Sequence, residues 1–218
     1  MKLSVIIPVY NERASIVDII NKIKKVPVNK EIIVVDDAST DGTQEILRTI
    51  SDIKLVVHSI NQGKGCAVRS GLKVAEGDII IIQDADLEYN PLDYLKLLRA
   101  FNNNKIGAVY GSRFKGKSKF LFLSKLANYF LVVLTNLLYS SKLSDMETCY
   151  KMIRKDIFLS LNLTAKRFEI EPEITAKLLR KGIKITEVPI DYHARKKGKK
   201  IGIKDAFIAI RELFKWWI

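Results

Sequence analysis

The chain has 218 residues, of which 48% are hydrophobic and 28% charged, two are cysteines, and the net charge is +13. This composition suits one large globular domain and excludes a disordered segment or a disulfide-built scaffold. The surplus of cations implies an anionic partner: nucleic acid, an anionic membrane surface, or a phosphorylated substrate. Cys66 and Cys149 show no metal-ligand spacing, so a reducing, cytoplasmic setting is expected. Met1-Lys2 leads directly into an apolar strand rather than a secretory leader.

In chain order, Leu3 to Val9 predicts a buried strand whose Pro8 ends the ladder by removing a donor. Tyr10-Asn11-Glu12 follows as a loop. Ile16, Ile19, Ile20 and Ile23 then share one helical face. Glu31 to Val35 predicts the second buried strand, and the polar run from Asp36 to Thr43 leads into a helix capped by Ser39, Thr40 or Asp41. Leu55 to His58 is a third short strand. Asn61-Gln62-Gly63-Lys64-Gly65 makes a tight turn into a helix from Cys66 to Ala75. That turn lacks the Walker A spacing and is not a dinucleotide fingerprint, although Lys64 at a helix start is placed to meet a phosphate.

Four consecutive isoleucines, Ile79 to Ile82, predict a strand buried on both faces, and it runs into Gln83-Asp84-Ala85-Asp86-Leu87-Glu88. On an extended backbone Asp84 and Asp86 point the same way, with Glu88 joining them if the extension continues. Carboxylates beyond the end of a buried parallel strand suit Mg²⁺ or Mn²⁺ with positions left open for a diphosphate. The bland alternative is an acidic turn that caps the next helix, which Pro91 opens.

Ile106 to Tyr110 predicts another strand, followed by Gly111-Ser112-Arg113-Phe114 and a basic loop with Lys115, Lys117 and Lys119. The apolar stretch from Phe120 to Tyr139, interrupted by Lys125, Asn128, Thr135 and Asn136, predicts a core or interfacial helix rather than a membrane span. Ser144 to Lys151 reads as a polar loop. Pro172 to about Lys181 predicts a helix closed by Gly182, and Ile183 to Ile190 an edge strand. Arg195-Lys196-Lys197-Gly198-Lys199-Lys200 places five cations in six residues, ahead of an apolar stripe at Ile203, Phe207, Ile210, Phe214 and Trp217. A basic loop before an amphipathic helix is what lying in a membrane interface requires; the alternative is that the stripe packs on the sheet.

Strands alternating with helices indicate an α/β, doubly wound, mostly parallel sheet with helices on both faces. Ligands of such sheets bind at the carboxyl ends of the strands, where Tyr10, Asp37, Asn61 and Asp84 fall. The absence of repeats and linkers predicts one domain, residues 1–200, with 201–218 as a C-terminal interfacial helix of the same domain.

Ser-Val-Ile-Ile-Pro-Val-Tyr-Asn-Glu (4–12), Val-Val-Asp-Asp-Ala-Ser-Thr-Asp-Gly-Thr (34–43), Asn-Gln-Gly-Lys-Gly (61–65) and Asp-Ala-Asp (84–86) together resemble the inverting family-2 glycosyltransferases of GT-A (Rossmann-like) fold. The likeness covers residues 3 to about 200. Gly-Ser-Arg-Phe (111–114), Asp-Met-Glu-Thr-Cys-Tyr-Lys (145–151) and Val-Pro-Ile-Asp-Tyr-His-Ala-Arg (188–195) narrow it to the dolichyl- or polyprenyl-phosphate mannose and glucose synthases.

What the resemblance implies is transfer of a hexose from a nucleotide-sugar donor, GDP-mannose or UDP-glucose, to a lipid-phosphate acceptor, with Mg²⁺ or Mn²⁺. Pro8, Tyr10 and Asp37 would line the nucleoside pocket beside Val9 and Glu12, with Asp37 accepting from the base. Asp84 and Asp86 would hold ribose, sugar and metal next to Gln83, and Glu88 would be a further ligand. Arg195, with Lys199 or Lys200, would neutralise the donor diphosphate, and Lys64 would stand near it. Arg113 would meet the acceptor phosphate. A hydroxyl acceptor would instead need a base, Asp145 or Glu147.

Two departures stand out: relatives place an amide at Glu88 and an arginine at Lys125. Many relatives continue into membrane helices, so membrane contact is expected to be peripheral, on the cytoplasmic face, or supplied by a separate membrane protein. The rival expectations are a transferase for hydroxyl acceptors in polysaccharide synthesis and a basic nucleic-acid-binding domain. The second is disfavoured because the cations cluster near carboxylates without an aromatic-interleaved motif. His58 and His193 are expected to be structural, Lys151 solvated or beside the acceptor, and Thr148 at the acceptor pocket.

Overall fold

Near-continuous runs of Val and Ile demand burial on both faces, and the computed structural model, which describes residues 1–101, 106–195 and 203–217, gives them that. Strands β1 (Leu3–Val9), β2 (Lys30–Asp36), β3 (Lys54–Val57) and β4 (Ile79–Ile82) run parallel. They form one half of a seven-stranded sheet ordered β3-β2-β1-β4-β7-β5-β8. The other half comprises β5 (Ala108–Ser112), β7 (Lys151–Arg154) and β8 (Ile185–Pro189). Here β7 lies antiparallel to both β4 and β5, while β8 forms the parallel edge beside β5. The two-residue strands β6 (Ser118–Lys119) and β9 (Tyr192–His193) pair separately.

Helices α1 (Ile16–Lys24), α2 (Thr43–Thr49), α3 (Lys64–Val74) and α4 (Tyr94–Ala100) connect the parallel strands. Gly71 lets α3 lie close against the sheet: a Cβ there would stand 2.6 Å from Ile6 Cγ2. Helix α1 buries the four isoleucines that its periodicity singles out. The remaining helices are α5 (Phe122–Tyr139), α6 (Lys155–Ser160), α7 (Ile170–Arg180) and α8 (Ile203–Trp217).

Four expectations need correction. The ladder does not end at Pro8, because β1 continues to Val9 opposite Asp36. Ile6 accepts from Gln83 N at 2.9 Å, so Pro8, two residues on, turns its donorless nitrogen toward the side where β4 has already stopped. The extended backbone does not persist to Glu88: the chain turns at Ala85-Asp86 and Leu87 is left-handed at φ 63°. The presumed loop up to Lys151 ends in a strand, β7, and Lys151 is fully buried rather than solvated. Pro172 lies inside α7, which starts at Ile170, rather than opening it.

Helix α5 is long and apolar enough to cross a membrane, yet only 17% of it is buried. Its two ends return to β5 and β7, neighbours in one sheet, so it cannot pass from one side of a bilayer to the other without tearing that sheet. Leu131, Val132 and Thr135 face inward, where Leu131 and Val132 join Ala176 of α7 and Ala209 and Leu213 of α8. The outer face presents Phe122 and Leu123 at 80% and 77% exposure, with Leu126, Tyr129, Phe130 and Leu137 also exposed. On α8, Phe207, Phe214 and Trp217 of the apolar stripe are exposed as well, whereas Ile210 is half-buried against the cluster of Leu131, Ala176 and Leu213.

Candidate active site at the strand ends

The carboxyl ends of β1, β2 and β4, the loops after β5 and before β7, and the start of α7 surround one cavity of about 630 Å³. Pro8, Val9, Tyr10, Glu12 and Asp37 line its first wall, and Lys64, Asp84, Asp86 and Glu88 its floor. Arg113 and Arg195 line it too. Most residues marked out in the sequence therefore meet in one place.

Asp37 is almost fully buried. Its Oδ1 accepts from Gln62 N at 2.9 Å and from His58 Nδ1 at 2.7 Å, and its Oδ2 accepts from Gly63 N at 2.7 Å. An ionised carboxylate only accepts, so the His58 hydrogen is on Nδ1, and in the neutral ring Nε2 accepts from Ser70 Oγ at 2.9 Å. Asp37 thus shapes the 61–63 turn and keeps one lone pair, on Oδ2, for anything in the cavity. Gly63, at φ 94°, and Gly65 are needed because the 165–166 backbone presses on the start of α3; a Cβ on either would stand 2.5 Å from a carbonyl oxygen.

Lys64 lines the cavity and bridges two carboxylates. Its ammonium lies 2.7 Å from Asp84 Oδ1 and 2.9 Å from Glu171 Oε1. Glu171 also takes Lys151 at 2.6 Å. Burial opposes the charge on Lys64, but Asp84 and Glu171 outweigh it and hold the amine well above its ordinary range. Burial likewise pushes the Glu171 carboxyl up, and the two lysines more than reverse the effect.

Asp86 has the opposite fate. Burial, then the negative charges of Asp84 and Glu88, push its carboxyl up to about 7. A crowded acid of this kind is short of positive charge, and its oxygens are the hard donors that Mg²⁺ or Mn²⁺ prefers. Glu88 does not share that position. Its Oε2 accepts from the Tyr192 hydroxyl and its Oε1 from Arg195 N at 2.8 Å, so it ties the 192–195 segment to the strand end. Among the described residues, no three His, Cys, Asp or Glu side chains converge as a preformed metal cage.

Gln83, expected beside the nucleotide, is buried away from the cavity. Its Oε1 accepts from the Tyr94 and Tyr150 hydroxyls at 2.6 and 2.7 Å, and its Nε2 donates to Asp84 O at 2.8 Å, so it braces the backbone of Asp84. Asp145 is also fully buried, and no base: it accepts from Arg113 N, Nε and Nη2 at 2.7 to 2.9 Å. Glu187 of β8 accepts from the Ser144 and Asp145 amides and so fixes that loop. The Arg113 guanidinium lies over the Phe120 and Tyr192 rings, its centre 5.5 and 5.2 Å from their centroids.

Arg195 reaches across the cavity mouth and donates to both Glu12 oxygens, at 3.0 and 3.1 Å, while standing 3.9 Å from Asp86 Oδ2. Lys199 and Lys200 lie outside the described residues. Glu171, Tyr89 and Tyr192 line the site without having been marked in the sequence. Glu171 looks like an ordinary first-turn acid, and the tyrosines carry no pattern that separates them from core aromatics.

The family model described as Glycosyl transferase family 2 matches residues 4–161. The chain is 31% identical over 226 residues to the dolichol-phosphate mannosyltransferase of Pyrococcus furiosus, covering 99% of this chain and 63% of that one. It is 26% identical over 223 residues to the dodecaprenyl-phosphate galacturonate synthase of Rhizobium johnstonii, covering 98% and 65%. The chain therefore spans less than two thirds of the length of these two relatives. Glucosyl-3-phosphoglycerate synthase of Mycobacterium tuberculosis, solved with Mn²⁺, UDP-glucose and phosphoglyceric acid, has the same fold, with a TM-score of 0.79 at 20% identity over 99% of this chain and 79% of that one.

Proposed function

The chain belongs to glycosyltransferase family 2, with the GT-A fold, and from that premise we propose that it moves a hexose from a nucleotide sugar to a polyprenyl or dolichyl phosphate with inversion at the anomeric carbon. The observation that carries this reading is the sharing of one cavity by the Asp84–Asp86 carboxylates and two guanidiniums, Arg113 and Arg195. The donor's diphosphate is assigned to Asp84, Asp86 and Arg195, and the acceptor's phosphate to Arg113.

Asp84 and Asp86 are the residues that would hold Mg²⁺ or Mn²⁺, an ion that spreads the negative charge growing on a leaving diphosphate. Arg195 adds a second positive charge on the same side. Burial disfavours its ionisation, but the Glu12 bond and the nearby carboxylates keep it charged. Arg113, locked by Asp145, has three of its five guanidinium N–H groups left for an incoming phosphate. A phosphate nucleophile is already ionised at neutral pH, so no base has to be found for it, in keeping with the commitment of Asp145 to Arg113.

The exposed apolar faces of α5 and α8, with Lys119, Lys125 and Lys215 nearby in the chain, support peripheral seating on an anionic bilayer. Such seating would deliver a lipid-borne acceptor to the cavity.

The test is transfer from radiolabelled GDP-mannose or UDP-glucose to polyprenyl phosphate with Mn²⁺, followed by chloroform–methanol extraction. Label in the organic phase is expected, and EDTA should abolish it. Label confined to water-soluble or polymeric product would move the activity to hydroxyl acceptors.

A further inference from the structure

The cavity's acids are nearly all spoken for. Asp84 and Glu171 hold Lys64, Asp37 holds His58 and two amides, Glu12 holds Arg195, and Glu88 holds Tyr192. Glu147 is different. It lines the cavity from the loop that precedes β7, and its Oε1 is buried with no hydrogen-bond partner among the described residues.

An acceptor oxygen left this way costs on the order of 1–3 kcal/mol unless something donates to it. None of the described residues supplies such a donor, which leaves the oxygen open to a ligand or a trapped water.

We propose that Glu147 reads the transferred sugar, its orphaned Oε1 accepting a hydroxyl of the hexose that the donor carries. The proposal rests on the transferase reading above and adds a specificity-determining residue to it.

Two further observations point to a sugar hydroxyl. The first is place. Glu147 is two residues from Asp145, which fixes Arg113, and it feels the charges of Lys151 and Glu171, which belong to the group that fixes Asp84. It therefore shares the cavity with, and lies within electrostatic reach of, both Arg113, assigned to the acceptor, and the Lys151–Glu171 pair next to Asp84.

The second is ionisation. Burial pushes the Glu147 carboxyl up to about 7, so both of its forms are populated near neutrality. A hydroxyl can donate to the ionised form and accept from the protonated one, whereas a phosphate oxygen pairs only with the acid.

Titration calorimetry with Mn²⁺ tests the assignment on the wild type, Glu147→Ala and Glu147→Gln. The titrants are UDP, GDP, UDP-glucose and GDP-mannose, and urea midpoints confirm that each variant is folded. Glu147→Ala should bind the nucleoside diphosphates within about twofold of wild type and lose at least about tenfold in affinity for the preferred sugar nucleotide. Glu147→Gln, whose amide oxygen still accepts, should recover part of the loss.

Unchanged donor binding in Glu147→Ala, with a raised acceptor KM, would assign the residue to the acceptor and overturn the proposal. Unchanged binding and kinetics would mean that a trapped water satisfies Oε1, which overturns it equally. A wild type that binds no sugar nucleotide at all would bring down the transferase reading, and this assignment with it.

Discussion

Lys64 Nζ stands 2.7 Å from Asp84 Oδ1, so the carboxylate assigned to the metal already has a cationic neighbour supplied by the protein. The same ammonium reaches Glu171, and through it the fully buried Lys151. Two acids and two lysines from α3, the turn after β4, β7 and α7 thereby balance one another beneath the cavity.

Lys64→Met should leave both acids without that partner. Removing one member of a buried ion pair costs about 3–5 kcal/mol. The urea midpoint should fall accordingly, and Asp84→Asn added to it, which removes the charge left unpaired while Glu171 keeps Lys151, should restore part of the loss. A double-mutant cycle with coupling above about 1 kcal/mol is expected, because the two side chains touch. Strict additivity would show that the network contributes nothing.

Asp145→Asn should act through Arg113. The neutral amide cannot match the charge or the fork of the guanidinium, which is buried and held strongly protonated by that carboxylate in spite of its burial. The expected outcome is an acceptor KM raised about tenfold or more while donor affinity stays near wild type. Equal losses on both substrates would argue for general misfolding.

Glu31 provides a pH signature remote from chemistry. Burial would raise its carboxyl, but Lys54, the Ser4 hydroxyl and the Glu76 and Gly77 amides outweigh burial and bring it down to about 2. Because the folded value lies below the unfolded one, the stabilisation is full above the ordinary carboxylate range and is lost as pH falls through about 2. Between pH 6 and pH 2.5 the thermal midpoint of Glu31→Gln should therefore decline less than that of the wild type. Parallel curves would remove Glu31 from the acid response.

The outer faces of α5 and α8 can be tested without disturbing the core. Phe122 and Leu137 are 80% and 77% exposed, so Phe122→Glu and Leu137→Glu should leave stability within about 0.5 kcal/mol. Co-flotation with vesicles containing anionic lipid should fall severalfold. Retained flotation would assign the apolar face to another partner.

Much of the parallel half of the sheet was legible in the sequence because its strands are buried on both faces, and Val/Ile runs of that kind have few other destinations. Asp84 and Asp86 were legible because they follow such a strand directly. The errors share a cause: side chains whose partners are remote. Lys151 appears solvated until Glu171, twenty residues on, is seen to hold it. Asp145 resembles a free acid until Arg113, thirty-two residues earlier, fills both of its oxygens. Arg195 and Glu12 are 183 positions apart. Strand β7 escaped notice because four residues framed by Lys and Arg carry no alternation. Its burial depends on partners that local pattern does not reveal.

The reversed direction of β7 has a bearing on how such an enzyme changes its clientele. A strand running against its neighbours brings its incoming end, not its outgoing one, to the rim of the cavity, so the segment before it supplies lining residues such as Glu147. The exposed turns between Arg113 and Tyr150 can thus change in length while β5 and β7 keep their pairing and Arg113 keeps Asp145. On the function proposed above, such changes would alter the acceptor side of the cavity and leave the Pro8–Asp37 wall as it was.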